Sequence, residues 1–470
     1  MQKAMWVSLS VSTQASTIRS SPRKKSRVAA NTSAGSSALA VSVVISLSSS
    51  SFRAYHPAAE DRGAGALSQS DPPLRQECAT VPLTQFSPNV ARLEASATLV
   101  LAARARKLRA AGVPVVDLSA GEPQYPAPAF AARAGIRSVE EGKTGYPPTS
   151  GLPELREAIA RYLCETTAAE AVDPGSVIVS AGVKQSLFNC CYALFGAGEE
   201  VLVPSPYWPS YTTIVRLAGA EPVIVETTWD GGFVPTVEDL EAARTARTGG
   251  LMLNSPGNPT GAVIPSELLR EILAWAERHG IWVLSDEIYR RLAYGAPAPS
   301  VFDVAERGER TILLDGVSKA FCMPGFRIGY AVGPSDVVRK MADLQGQTTS
   351  GAVGPSQHAA AAALGESADR EAFVEDLLSR LAGLREMGLS RFAEIDGIDA
   401  FPPDGALYFY ARIGDGGAAS LDVAERLLAD AQVACMPGEP FGSPGHLRFN
   451  FAVEREVLEE GLERIAGFFG

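Results

Sequence analysis

From about Ser87 onward, short apolar runs alternate with stretches whose apolar residues recur at helical spacing. Ala91 to Ala111 has that spacing, Gly112 and Pro114 stop it, and Val115 to Leu118 reads as a strand. Pro153 to Leu163 is amphipathic in the same sense. Strands are then predicted at Val177 to Val179, Glu200 to Val203, Pro222 to Val225, Leu251 to Leu253, Trp282 to Leu284 and Thr311 to Leu314, mostly with helical stretches between. Apolar runs alternating with helices mean a mostly parallel sheet covered on both faces. After Asp369 the texture changes to a long helix, a Gly-rich pair of strands near Phe401 to Ile413, a helix, and a strand at His446 to Ala452. This is a second, α+β layer.

The N-terminus does not share this pattern. Met1 to Ala59 contains no Asp or Glu, sixteen Ser and seven basic residues, so those seven charges leave −18 on the rest of a chain whose net charge is −11. A Ser-rich, basic, acid-free start reads as an organelle transit peptide. Residues 1–84 are therefore expected to be leader and linker, directed to the plastid stroma, with mitochondrion or cytoplasm as alternatives. Over the whole chain, 46% apolar and 20% charged residues suffice for a sizeable core, and 470 residues allow two or three domains at about 150 residues each. No apolar run nears the ~20 residues of a membrane-spanning helix. The acidity argues against nucleic acid as a partner. Six Cys and four scattered His offer neither a disulfide framework nor metal-ligand spacing.

In a sheet of this kind, ligands bind beyond the carboxyl ends of the strands. Four such ends carry unusual polar residues. Ser180-Ala181-Gly182-Val183-Lys184-Gln185 opens a helix, whose free N–H groups suit a phosphate. Asn254 to Gly261 holds two Pro and two Gly around Asn258. Ser285-Asp286-Glu287-Ile288-Tyr289 places a carboxylate three residues before a phenol, and Asp286 could equally cap a helix. Asp315 to Phe321 brings Ser318 and Lys319 to a strand end among apolar neighbours. A lysine shielded there has a lowered pKa and can act as a nucleophilic amine.

Together these segments resemble the class I aminotransferases, pyridoxal-phosphate (PLP) enzymes of fold type I. The resemblance runs from about Ser87 to Phe469. It rests on Ala120-Gly121-Glu122-Pro123, Tyr146 with Gly151 to Arg156, Pro206-Tyr207-Trp208, Asn254 to Gly261, Ser285 to Tyr289, Ser318-Lys319 with Arg327, and Leu447-Arg448-Phe449. The nearest subgroup is the bacterial-type aspartate aminotransferases, whose plastid members also use prephenate. Gly257, Gln124-Tyr125 and Leu407 depart from the usual family residues.

The resemblance implies a large PLP-binding domain (127–370) with a mostly parallel sheet between helices, and a smaller α+β domain from both chain ends (85–126 and 371–470). Lys319 would hold PLP covalently and move the substrate proton. Asp286 would pair with the pyridine nitrogen, Tyr289 and Asn258 with the ring 3′ oxygen, and Trp208 would stack on the ring. Gly182, Val183, Lys184, Ser318 and Arg327 would hold the phosphate, joined by Tyr146 from a second subunit, which makes the active unit a homodimer. Arg448 would clamp the substrate α-carboxylate, assisted by Gly121 and Asn258. Lys184 and Thr98 would receive the distal carboxylate of aspartate or glutamate.

Two other classes share some of these features. Another fold type I PLP enzyme, such as an aromatic aminotransferase or a C–S β-lyase, would keep the same cofactor residues. A regulator with an aminotransferase-like domain would need a DNA-binding helix pair, and the leader has no helical periodicity to build one. A nicotinamide enzyme is disfavoured because no G-x-G-x-x-G follows a strand.

Overall fold

The computed structural model describes Phe86, Ser87, Val90 and residues 97–470, apart from 305–307, 366–367 and 415–418. The expected leader and linker lie outside the described residues. In chain order the strands are β1 (Val116–Asp117), β2 (Val177–Ser180), β3 (Glu200–Ser205), β4 (Glu221–Glu226), β5 (Thr248–Asn254), β6 (Trp282–Asp286), β7 (Thr311–Gly316), β8 (Gly329–Val332), β9 (Ile398–Phe401), β10 (Tyr408–Ile413), β11 (Val433–Ala434), β12 (Met436–Pro437) and β13 (His446–Asn450).

Seven of them form one sheet in the order β2-β8-β7-β6-β5-β3-β4. Every pairing is parallel except those of β8, which runs antiparallel to β2 and β7. β2, β7 and β8 are buried at every residue. That is why β2 and β7 read in sequence as unbroken apolar runs rather than alternating ones. The covering helices bury one stripe each. In Ser266–His279 this stripe is Leu269, Ile272, Leu273 and Ala276, and Gly280 ends the helix in the left-handed conformation. The strand β8 has no counterpart in the sequence reading. It follows β7 by a turn instead of a helix, so the alternation that reveals the others is absent.

The second layer is the sheet β12-β13-β10-β9, all antiparallel, with β1 paired in parallel to β11 beside it. Leu118 N–H donates to Ala434 O and Asn450 N–H to Leu118 O, so the segment around residue 118 joins the C-terminal strands. One hydrophobic core runs through both layers, from Leu314 and Tyr330 to Phe409, Phe449 and Phe451. The described residues belong to a single compact unit, Val81–Gly470.

Candidate active site

The carboxyl ends of β5, β6 and β7 meet the strand β13 of the second layer, and the predicted residues gather there. Lys319 follows β7 by a turn, and its Nζ donates to Gly121 O. It lies 5.8 Å from the centre of the Tyr289 ring. The cleft leaves the side chain partly accessible, yet protein encloses its amine. That desolvation, reinforced by Arg448 and Arg327 and opposed by Glu122 and Asp286, pushes the amine down to about 8.

Asp286 ends β6 and is buried. Its Oδ2 accepts from Tyr211 Oη at 2.8 Å and its Oδ1 from Ile288 N–H at 3.2 Å. Desolvation pushes it up to about 6, while the Tyr211 bond, the Ile288 amide and Lys319 pull it back. No α-helix follows, so Asp286 closes a turn and does not cap a helix. Asn254 fixes this strand end twice: Nδ2 donates to Asp286 O at 2.8 Å and Oδ1 accepts from Asn258 N–H at 2.8 Å.

Asn258 Oδ1 accepts from Arg448 Nη1 at 2.9 Å, and Arg448 Nη2 donates to Ser119 O at 3.0 Å. The Arg448 guanidinium lies 4.4 Å from the Tyr408 ring centre and 5.1 Å from that of Phe441. Its Nε is buried with no hydrogen-bond partner among the described residues. A Cβ on Gly121 would come within 3.9 Å of Arg448 Nη2, so a side chain there would narrow the approach to the guanidinium. Tyr289 Oη shares a 2.8 Å hydrogen bond with Tyr408 Oη, and burial raises both phenols.

Gly182 caps the helix Val183–Leu194 with φ +85°. A Cβ there would fall within 2.9 Å of Arg327 Cζ. Arg327 donates to Pro324 O at 3.0 Å and Ala181 O at 3.3 Å, which aims its guanidinium at the helix start. Close approach of β8 to this helix requires Gly329, where a Cβ would sit 2.8 Å from Val183 Cα. The Gly182 N–H, expected to face a phosphate, donates instead to Ser180 O at 2.7 Å, so the N–H groups of Val183 and Lys184 form the cradle beside the guanidinium, with buried Ser318 near Lys319. Lys184 points outward, its Nζ 4.7 Å from the Trp208 ring centre, and burial and Arg327 lower its pKa. Trp208 meets Tyr211 edge-to-face at 5.5 Å.

Two predicted residues stand apart. Tyr146 is 96% exposed and touches none of this cluster. Thr98 is in the helix Ala97–Ala110, but its side chain lies outside the described residues. Conversely, Tyr211, Tyr408 and Ser119 belong to the site and escape the sequence reading, and Asn254, read there only as the start of its loop, holds Asp286 O and the Asn258 amide. Tyr408 sits within an apolar run, where an aromatic residue reads as core, and Tyr211 lies among Ser210, Thr212 and Thr213 in a helix, where nothing marks it as functional.

The family model for aminotransferases of class I and II matches residues 113–465. A probable aspartate/prephenate aminotransferase of Thermus aquaticus is 41% identical over 81% of this chain and 98% of its own. The bifunctional aspartate aminotransferase and glutamate/aspartate-prephenate aminotransferase of Petunia hybrida is 38% identical, covering 81% and 82%. The structure of aspartate aminotransferase from Thermus thermophilus with maleate superposes with a TM-score of 0.78 at 40% identity, covering 82% of this chain and 99% of that one. With a shielded lysine after β7, a carboxylate after β6, and a match that runs through both, the chain belongs to the class I and II aminotransferase family.

Proposed function

We propose that this aminotransferase uses PLP to move an amino group between aspartate or glutamate and a 2-keto acid, such as oxaloacetate or 2-oxoglutarate, with prephenate as a further acceptor. One observation carries this reading: the Lys319 amine shares a cleft with the buried Asp286 carboxylate and the Arg448 guanidinium.

PLP fits the donors present. The Gly182 cradle, where a Cβ would collide with Arg327, leaves space and positive potential for a phosphate. When bound, PLP supplies an electron sink for the bond broken at the substrate Cα.

The chain's own residues do the rest. Lys319 Nζ, whose pKa burial lowers, would hold the cofactor and, once displaced by the substrate amine, would take up and return the proton at the substrate Cα. Asp286, as a carboxylate, would hold a proton on the ring nitrogen. Tyr289 and Asn258 would hold the ring 3′ oxygen, and Trp208 would support the ring. Ser318, Arg327 and the amides of Val183 and Lys184 would hold the phosphate, with Gly182 leaving room for it. Arg448 orients the α-carboxylate, with Gly121 leaving room for it.

Lys184 and Thr98 receive the distal carboxylate. Lys184 is suited to this because its ammonium stands over Trp208, at the open side of the cradle. Tyr146 reaches the phosphate of a partner subunit. Support comes from its exposure and from three further apolar residues, Ile136, Val139 and Val353, each more than half exposed. Residues 85–126 and 371–470 act as the small domain around the large one (127–370), and residues 1–84 as a plastid-directing leader.

Lys184→Ala tests the substrate assignment. Loss of a charge-assisted hydrogen bond should lower kcat/KM for aspartate and glutamate roughly tenfold or more and leave alanine little changed. Equal losses would assign Lys184 to the cofactor phosphate instead.

A further inference from the structure

Tyr408 opens β10 and is fully buried. In the antiparallel pair of β10 and β13 it stands opposite Asn450, while Arg448 stands opposite Tyr410. Opposed residues share a face of the sheet, and so do residues two apart, so Tyr408 and Arg448 are diagonal neighbours on one face. The Arg448 guanidinium lies over the phenol ring, 4.4 Å from its centre. Phe441 is its second support, at 5.1 Å, and Phe441 O accepts from Tyr207 N–H at 3.0 Å, next to Trp208 in the chain.

The hydroxyl end of Tyr408 meets the other half of the site. Its Oη is 2.8 Å from Tyr289 Oη, and the two rings meet edge-to-face. Backbone bonds hold the pair in place: Ala406 N–H donates to Leu292 O at 2.9 Å and Ala293 bridges Gly405, which joins the turn after Tyr289 to the segment before β10. Among the described residues, neither hydroxyl has a second hydrogen-bond partner. Burial raises both phenols, so each keeps its proton at neutral pH. A phenol has one proton to donate. Tyr289 can therefore give its own to a cofactor oxygen only if Tyr408 supplies the proton between the two hydroxyls. Nothing in the proposed chemistry uses Tyr408.

We propose that Tyr408 is a positioning residue with two separable parts: its hydroxyl donates to Tyr289 and so aims the Tyr289 proton at the cofactor, and its ring holds the Arg448 guanidinium in place for the substrate α-carboxylate. The inference rests on the readings of Tyr289 as a donor to the ring 3′ oxygen and of Arg448 as the α-carboxylate clamp.

The test is a double-mutant cycle on the full PLP-loaded chain at neutral pH, read by the visible absorption of the bound cofactor and by steady-state kinetics. Tyr408→Phe keeps the ring and loses the hydroxyl. It should shift the cofactor absorption in the same direction as Tyr289→Phe and lower kcat about threefold to tenfold, with KM for aspartate and for alanine within about twofold of wild type. In a Tyr289→Phe background the same substitution should move neither absorption nor kcat, because the hydroxyl has lost its partner. Tyr408→Leu should add a rise in KM of about fivefold or more for both substrates, since both carry the α-carboxylate. Where Tyr408→Leu does not fold, Tyr408→Met, which fills more of the space, takes its place. Phenylalanine effects that simply add would overturn the role of the hydroxyl. A KM in the aliphatic variant equal to that of Tyr408→Phe would overturn the role of the ring. A wild type whose cofactor absorption is untouched by Tyr289→Phe would instead remove the reading of Tyr289 beneath the proposal.

Discussion

Asp286 is held between two demands. Burial favours its neutral form, and pairing with a ring nitrogen needs the charged one. The Tyr211 hydroxyl is the largest single influence on the charged side. Tyr211→Phe removes a hydrogen bond to a charged group, so the Asp286 pKa should rise above about 6. The carboxylate exists above that pKa and is lost as pH falls through it. A higher pKa therefore moves the acid limb of cofactor affinity upward, by about one pH unit. Titration of PLP binding against pH checks this; an unmoved limb would mean that Tyr211 only packs. Lys319 could be picked out from sequence because a basic residue at an apolar strand end is unusual, whereas Arg448, in the middle of β13, entered only through the resemblance. Tyr211 gives no such signal, since its neighbours Ile214 and Val215 are as buried as it is.

At the scale of elements, the site depends on where strands stop. β5, β6 and β7 end within a residue of Asn254, Asp286 and Asp315, and register places Asn254 beside Asp286. This part of the fold was legible, because buried parallel strands leave apolar runs bounded by polar ends. The strand β8 was not, since it returns by a turn and runs against its neighbours. It nevertheless carries Gly329, which lets the helix Val183–Leu194 approach Arg327. Gly182→Ala should break that cradle, because φ +85° suits glycine and the new Cβ would meet the guanidinium. PLP affinity should drop roughly tenfold or more while circular dichroism stays unchanged, since one left-handed non-Gly residue costs on the order of 1–2 kcal/mol. Unchanged affinity would place the phosphate elsewhere.

For the whole molecule, the proposed dimer makes a prediction of its own. Ile136 and Val139 lie exposed on the helix Ala129–Glu140. A charge there, as in Ile136→Asp, should yield monomers by sedimentation and lose activity with them, because Tyr146 then has no partner site to complete. A fully active monomer would show that each subunit is self-sufficient. Oligomeric state was not legible in the fold pattern; it entered the sequence reading only through the resemblance at Tyr146. The account as a whole stands on the covalent role of Lys319. Borohydride reduction of the PLP-loaded protein, followed by peptide mapping, tests this most directly. The account predicts the reduced cofactor on the peptide bearing Lys319, and neither label nor turnover in Lys319→Ala. Label on another lysine, or a variant that still transaminates, would contradict it.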